Sequence, residues 1–219
     1  MKKIVNFNDN ANVFVVLGSV GSGKTHLVLG HSGKKLVISF DSSYSTLVGH
    51  ESEITVVTPD IADYGNPDKL VSEIDELAKG CDLVVFDNIS AVETTMVNAI
   101  TDGKLGNNTD GRAAYGMVQK LLSKFANWAI HFNADTLFTL WSMVTEDGKE
   151  QPAMNIKAFN VVAGYAKLVS RTEVGFDGYT VVVNPDGRGV IKNRLADKIK
   201  KQSIKNDDYW KAISFAKGE

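Results

Sequence analysis

Hydrophobic positions along the chain fall into short continuous runs separated by stretches with helical spacing. Continuous apolar runs of this length are typical of strands buried on both faces of a parallel sheet. They predict strands over residues 13–17, 35–40, 54–58, 83–86 and 136–141. Helical spacing predicts helices over 68–79, 90–100 and 113–131, and a short helix ending near residue 31. This alternation predicts a single α/β fold with three layers and a mostly parallel central sheet.

In the second half of the chain, the regular alternation of strand and helix patterns ends. Runs at 180–184 and 189–192 flank Pro185-Asp-Gly187, a combination that predicts a C-terminal β-hairpin. The polar stretches 101–111 and 142–158 predict loops, which are either mobile elements near a site or passive surface connections. We divide the chain into a domain over residues 1–195 and a basic C-terminal extension over 196–219.

One loop carries a complete phosphate-binding pattern, GxxxxGK[ST], directly after the first predicted strand. Glycines let the backbone wrap an anion, and successive N–H groups then point at the phosphates. Lysine reaches the β- and γ-phosphates, and the following hydroxyl binds magnesium. The predicted nucleotide-binding residues are Gly18, Ser19, Val20, Gly21, Ser22, Gly23, Lys24, Thr25 and His26. The pattern predicts ATP and Mg²⁺ as ligands, with Lys24 also catalytic.

Acidic residues follow several of the predicted strands. Asp87 ends the run Leu-Val-Val-Phe, and a carboxylate there can hold magnesium together with Thr25. Hydrolysis also needs a group that orients the attacking water. Asp41, which follows the strand after the phosphate loop, is the best-placed acid, although it could equally cap the turn 41–43.

The composition restricts the cellular environment in which the protein acts, but it does not identify a binding partner. The 219 residues carry 24 basic and 26 acidic side chains, a net charge of −2, so no global field points to nucleic acid. The basic side chains are nevertheless segregated, because seven of them and one acid lie between Arg188 and Lys205. This basic strip is either a phosphate-backbone contact or a solvated surface. The single cysteine, Cys81, fits a reducing cytoplasm, and no apolar run is long enough to span a membrane.

The order of these motifs resembles that of the RecA-like P-loop ATPases. Within them it is similar to the small phage-encoded nucleotide-binding proteins grouped with single-strand annealing recombinases. The resemblance covers about residues 12 to 195, from the phosphate loop to Lys192-Asn-Arg194. It implies a RecA-like fold, a homo-oligomeric ring or filament, single-stranded DNA as a partner, and the host cytoplasm as location. In such assemblies, basic residues on the late strand reach the neighbouring subunit's γ-phosphate, which makes Lys192 and Arg194 candidate catalytic residues.

Two positions depart from that family. The strand after the first helix tends to end Asp-x-Glu, with the glutamate polarising water, and here Ser43 stands at that place. A later strand commonly ends in a polar pair, often His-Glu, that senses the γ-phosphate; here the pair is Trp141-Ser142. Both departures predict slow hydrolysis.

Three functions follow from these observations. The first is a slow ATPase acting in phage-type DNA recombination or single-strand annealing. The second is a nucleotide-gated binding module without significant turnover. The third, a small P-loop phosphotransferase, is disfavoured because the four arginines are scattered and form no clustered lid.

Overall fold

The computed structural model describes residues 12–106, 110–176 and 178–218. Its strands are, in chain order, β1 (Val13–Gly18), β2 (Lys35–Ser39), β3 (Ile54–Val57), β4 (Leu83–Asp87), β5 (Asp135–Val144), β6 (Glu150–Pro152), β7 (Leu168–Gly175), β8 (Gly178–Val182), β9 (Lys192–Asn193) and β10 (Ser203–Lys205). Its helices are α1 (Pro67–Leu77), α2 (Ile89–Thr101), α3 (Gly111–Ala129), α4 (Ile156–Ala163) and α5 (Tyr209–Lys217). Short 3₁₀ helices cover Thr25–Val28, Ser45–Leu47, Ile61–Gly65 and Asn206–Asp208.

A single sheet organises the fold, with the strand order β10-β8-β7-β1-β5-β4-β2-β3. Strands β7, β1, β5, β4, β2 and β3 run parallel to one another. Strands β8 and β10 continue the sheet in antiparallel fashion, β6 pairs with the end of β5, and β9 pairs with the start of β7. The predicted mostly parallel α/β sheet is confirmed. Because β1, β2, β4 and β5 are parallel, their carboxyl ends meet at one edge.

Both faces of the sheet are covered, as the continuous apolar runs predict. In β1, Val13, Val15 and Leu17 pack into a core shared with α1 to α4, whereas Phe14 and Val16 face a second core. The second core contains residues of the 3₁₀ helix after the phosphate loop and of α5. The three predicted layers are therefore present, and the second helical layer is thin. Among the described residues, no helix combines the length and apolar character needed to cross a membrane.

The C-terminal hairpin contains different strands from those predicted. Strand β8 pairs with β7, from Arg171 opposite Val182 to Gly175 opposite Gly178, and not with residues 189–192. Residues 192–193 instead pair with the start of β7. Charged residues in β7, such as Arg171 and Glu173, interrupt the apolar pattern, so this segment was not predicted as a strand. The turn signal at 185–187 therefore led to the wrong pairing.

The segment after residue 195 is integrated in the same sheet. Strand β10 pairs with β8, and Tyr209, Trp210 and Ile213 of α5 are buried in the second core. The indole Nε1 of Trp210 donates a hydrogen bond of 2.8 Å to the carbonyl of Leu27 in the 3₁₀ helix. Residues 196–218 thus contribute to the same core as the domain predicted over 1–195.

Two other expectations need correction. The short helix predicted to end near residue 31 is a single 3₁₀ helix, Thr25–Val28, so its dipole is smaller than that of a full α-helix. The loop predicted over 142–158 is largely regular, because β5 continues to Val144, β6 pairs back on it and α4 begins at Ile156. In the other predicted loop, 101–111, residues 107–109 lie outside the described residues.

Candidate functional site

The phosphate loop leaves the carboxyl end of β1, between β5 and β7. Gly21 and Gly23 have φ angles of +75° and +88°, in the left-handed region that only glycine adopts without strain. A Cβ at Gly18 would lie 2.1 Å from Oγ1 of Thr172, so no larger residue fits there without displacing β7. The glycines of the pattern are therefore required by backbone conformation and by close packing.

The side chain of Lys24 is 7% exposed and folds back over the loop. Its Nζ donates hydrogen bonds of 2.9 Å and 2.7 Å to the carbonyls of Gly18 and Ser19. Burial lowers the pKa of Lys24, and the negative charges of Asp87 and Asp41 oppose that effect. The ammonium group thus lies beside the loop, held by carbonyls that phosphate oxygens could replace as acceptors.

Asp87 lies at the end of β4 and is 2% exposed. Its carboxylate accepts a hydrogen bond of 2.9 Å from Oγ1 of Thr25, and a second one from Oγ1 of Thr139 on β5. Burial raises the pKa of Asp87 in spite of those two hydrogen bonds. A buried carboxylate next to a hydroxyl is a set of hard oxygen ligands that suits Mg²⁺. The donor chemistry of Thr25 and Asp87 therefore fits the metal role predicted for them, although no group of three or more His, Cys, Asp or Glu side chains placed to hold a metal ion occurs among the described residues.

A cavity of about 490 Å³ lies over the loop, within the usual size of ligand sites. Most of the phosphate loop lines it, from Val20 to His26, together with Asp41, Ser43, Ser45, Thr46, Asp87, Asn88, Trp141 and Tyr179. The sequence-predicted residues Lys24, Thr25, His26, Asp41 and Asp87 are thus brought to one cavity. Gly18 and Ser19 support the loop from behind through their carbonyls.

Asp41 and Ser43 face this cavity from the turn after β2. The backbone N–H of Ser43 donates to Oδ1 of Asp41 at 3.0 Å, and the Ser43 hydroxyl bonds the same oxygen. Asp41 therefore closes a local turn and also lines the cavity, so the two interpretations of this residue are compatible. Of the pair Trp141-Ser142, Trp141 lines the cavity, whereas the Ser142 hydroxyl bonds Glu150 on β6.

Residues far away in sequence hold the phosphate loop from the other side. The ring of Tyr179 on β8 lies so close to Gly23 that a Cβ there would be 2.9 Å from it. Nδ2 of Asn206 donates a hydrogen bond of 3.1 Å to the carbonyl of Gly23, and Nε2 of His26 lies 3.4 Å from a carboxylate oxygen of Asp207. We call Tyr179, Asn206 and Asp207 the loop clasp.

Lys192 and Arg194 are not brought to this cavity. Nζ of Lys192 donates to the carbonyls of Ala163 and Gly164 at the end of α4, both at 2.9 Å, and Nη2 of Arg194 lies 3.4 Å from the Gly164 carbonyl. Cations at a helix C-terminus satisfy free carbonyls and complement the helix dipole. Lys192 thus has a structural contact within the chain, and a role of either residue at a neighbour's phosphates stays a prediction.

Other members of the basic strip divide into two groups. Lys198 is tied to the backbone of α5, since its Nζ donates to the carbonyl of Ala216 at 2.5 Å. Lys200, Lys201 and Lys205 are exposed, and they make no ion pair with any residue in the described ranges. Within the described part of the basic strip, Lys200, Lys201 and Lys205 are therefore the lysines whose charge is exposed and not engaged in an ion pair.

The structure also places near the site two residues, Thr139 and Arg171, that the sequence analysis did not identify. Thr139 is a polar residue within a mostly apolar run, and only the register of β4 against β5 brings it beside Asp87. Arg171 is 1% exposed on β7, where it pairs with Glu150, Glu173 and Asp186. This charge cluster links β6, β7 and the 186–188 turn beside the phosphate loop, and nothing in the local pattern predicts it.

The mostly parallel sheet, the glycine loop at the end of β1 and the Thr25–Asp87 contact together define an α/β fold of the P-loop class. A comparison with protein families gives the particular assignment: residues 10–195 match the AAA domain family, and the chain belongs to that family. No curated protein matches the chain. Among solved structures, it is similar to a KaiC-like protein from the hyperthermophilic archaeon Pyrococcus horikoshii OT3, with 13% identity, 83% of each chain covered and a TM-score of 0.49.

Proposed function

We propose that this protein binds ATP with Mg²⁺ through the phosphate loop and hydrolyses it slowly. The observation that carries the proposal is the convergence of Lys24, Thr25 and Asp87 on one cavity of about 490 Å³. These three residues come from the loop after β1 and the end of β4, and the carboxyl edge of the sheet brings them together. Membership of the AAA domain family supports the same conclusion.

Each residue has a distinct task in this proposal. Backbone N–H groups of the loop surround the phosphates, and Lys24 exchanges its carbonyl contacts for phosphate oxygens. Thr25 and Asp87 would hold Mg²⁺, which neutralises charge that develops on the phosphates. The Asp87 carboxylate stays oriented by its contact with Thr139.

We expect slow hydrolysis because of the residues that would orient the attacking water in the cavity. Asp41 is the carboxylate that lines the cavity besides Asp87, and Ser43 stands where the RecA-like ATPases that the sequence resembles tend to carry glutamate. A missing water-orienting group typically costs about 100-fold or more in rate. Asp41, already hydrogen-bonded to Ser43, is the residue we propose for the residual base function.

Calorimetry with ATP, with and without magnesium, tests binding, and a steady-state phosphate-release assay tests turnover. We expect Ser43→Glu to raise the rate and Asp41→Asn to lower it. Ser45→Glu is a matched control, because Ser45 lines the same cavity and the change adds the same charge. Absence of ATP binding would refute the proposal, and equal stimulation by both glutamates would refute the assigned role of position 43.

A nucleotide-gated module without turnover is the second candidate. Ser43 and Trp141 favour it, since neither can activate water and both line the cavity. The same assay separates the two functions: tight ATP binding with no phosphate release above background supports the module, and measurable release that depends on Asp41 supports the ATPase.

We further propose single-stranded DNA as the partner, in recombination or strand annealing. Lys200, Lys201 and Lys205 supply exposed charge without ion-pair partners in the described ranges. Each neutralised phosphate of a single strand contributes about −0.7 to the slope of log K against log salt. Binding of a labelled oligonucleotide, followed by fluorescence anisotropy with ATP present, should therefore weaken steeply with salt.

Charge reversal of the three lysines to glutamate should abolish this binding. A control variant changes Lys34, Lys120 and Lys157 to glutamate, which are exposed lysines outside the strip. If the two triple variants lose affinity equally, the binding is a net-charge effect and the strip has no specific role.

Self-association is the remaining part of the proposal. Arg194 is exposed, unlike the more enclosed Lys192, and is therefore our candidate for the cation that reaches a neighbour's phosphates. Light scattering should detect larger species when ATP is added, and Arg194→Ala should lower turnover without lowering ATP affinity. A protein that stays monomeric with ATP and DNA would refute this part alone.

A further inference from the structure

Asn88 connects the end of β4 to the start of α2, and it is 1% exposed. Its Oδ1 accepts a hydrogen bond of 2.9 Å from the backbone N–H of Ser90, which caps the helix. Only the oxygen of a carboxamide can accept from an N–H group, so this contact fixes the orientation of the side chain. The amide nitrogen, Nδ2, is therefore directed away from Ser90.

That nitrogen has no hydrogen-bond partner among the described residues. Across residues 12–106, 110–176 and 178–218, the buried side-chain atoms in this condition are Ser39 Oγ, Asn88 Nδ2, Thr136 Oγ1 and Arg171 Nε. Arg171 Nε still lies 3.0 Å from a carboxylate oxygen of Glu150. Among these four residues, Asn88 is the one that lines the nucleotide cavity. Buried donors are rarely left unpaired in folded proteins, and Asn88 lies in the cavity wall, so a ligand bound in the cavity is the acceptor that this donor lacks.

The neighbours of Asn88 indicate which acceptor this is. Asn88 directly follows Asp87 and shares the cavity wall with Asp41 and Trp141. A carboxamide N–H is neutral and cannot act as a base, but it donates well to phosphate oxygens. In P-loop proteins the phosphates nearest the lysine and the metal ligands are the β- and γ-phosphates, and the γ-phosphate is the outer one.

We propose that Nδ2 of Asn88 donates a hydrogen bond to the terminal phosphate of the bound nucleoside triphosphate, so that Asn88 discriminates the triphosphate from the diphosphate. This inference rests on the proposed nucleotide binding and assigns a specificity-determining residue to the same site. It gives the cavity a γ-phosphate contact that does not depend on the Trp141-Ser142 position.

The test compares two substitutions that keep the helix cap. Asn88→Asp retains the accepting oxygen and replaces the donor, and Asn88→Ser retains a capping oxygen without added charge. Calorimetry measures the affinities for a non-hydrolysable ATP analogue and for ADP, both with magnesium. We expect the ratio of the affinity for the triphosphate to that for ADP to fall by about tenfold or more in both variants. In Asn88→Ser, which adds no charge, the ADP affinity should change by less than about twofold, whereas the added carboxylate of Asn88→Asp should also weaken ADP binding.

Matched controls are Asn66→Asp and Asn66→Ser. Asn66 is also an N-cap, with Oδ1 accepting from the N–H of Lys69 at 3.2 Å, three residues on instead of two, and it does not line the cavity. These controls should leave both affinities unchanged, and thermal unfolding confirms that all variants are folded. Equal weakening of both nucleotides in Asn88→Ser, or an unchanged ratio, would overturn the inference while leaving nucleotide binding intact. Wild-type protein that binds neither nucleotide would overturn the proposed function and this inference together.

Discussion

Replacing Lys24 by methionine separates nucleotide binding from stability. Lys24 is a buried cation whose pKa is lowered mainly by burial, so its charge is costly in the folded state. Methionine fills the space of the aliphatic stem without the charge, but it leaves the Gly18 and Ser19 carbonyls without their lysine donor. Relief of the buried charge and loss of these two hydrogen bonds oppose each other, so we expect the free energy of unfolding to change by less than about 1 kcal/mol.

The affinity for ATP, in contrast to the stability, should fall strongly in Lys24→Met. Hydrogen bonds to charged groups are worth about 1.5–3 kcal/mol each, and Lys24 is positioned to make two to phosphate oxygens. Part of this gain is offset, because Nζ gives up its bonds to the Gly18 and Ser19 carbonyls. A net loss of about 3 kcal/mol corresponds to a rise in Kd of about 100-fold. Calorimetry with ATP and magnesium measures the affinity, and urea denaturation measures the stability.

Lys35→Met is the matched control. Lys35 is also buried, at 3% exposure, and its Nζ donates to the Gly33 carbonyl at 3.0 Å, but it begins β2 at the opposite end of the sheet from the phosphate loop. This variant should bind ATP as the wild type does. The reasoning fails if Lys24→Met retains wild-type affinity, or if Lys35→Met loses affinity to the same extent.

Three further outcomes are expected. Gly18→Ala places a Cβ 2.1 Å from Oγ1 of Thr172 and should lower the free energy of unfolding by about 1–3 kcal/mol; an unchanged urea midpoint would contradict it. The hydrogen bond from Arg171 lowers the pKa of Asp186, so its stabilisation is present above the ordinary carboxyl value of 3.8 and is lost as the pH falls below it. Asp186→Asn should therefore be less stable than the wild type near neutral pH, and urea denaturation should find that gap closing in acid. Trp210→Phe removes the indole donor to the 3₁₀ helix and should cost about 1 kcal/mol by thermal unfolding, with ATP affinity retained as the control.

Local patterns predicted those parts of the fold in which one segment determines its own structure. The continuous run of β1 and the glycines of the loop carry their information within a few residues, and their structures follow. Pairing between distant segments is different, because a turn signal such as Pro185-Asp-Gly187 does not specify which strands it joins. Arg171 illustrates the difficulty: a charged residue interrupts the apolar pattern of its strand, and two of its three carboxylate partners come from other segments.

Within the site, too, the sequence predicted the residues that belong to local motifs and not those that depend on contacts between distant segments. Lys24, Thr25 and Asp87 belong to sequence motifs, and the cavity contains all three. Thr139 became recognisable only through the parallel pairing of β4 and β5, and Asn88 only through the orientation imposed by its cap. Contacts that depend on side-chain direction across strands therefore remained beyond sequence reasoning.

The loop clasp has a consequence for how the protein is made. Asn206 holds the carbonyl of Gly23 from a position 183 residues later in the chain. At about 5–20 residues per second, a ribosome needs roughly 10–40 s to synthesise that interval. During this time the growing chain carries the whole phosphate loop without the residues that hold it. The phosphate loop therefore reaches its complete packing only late in synthesis, when Asn206 and Asp207 have been added to the chain.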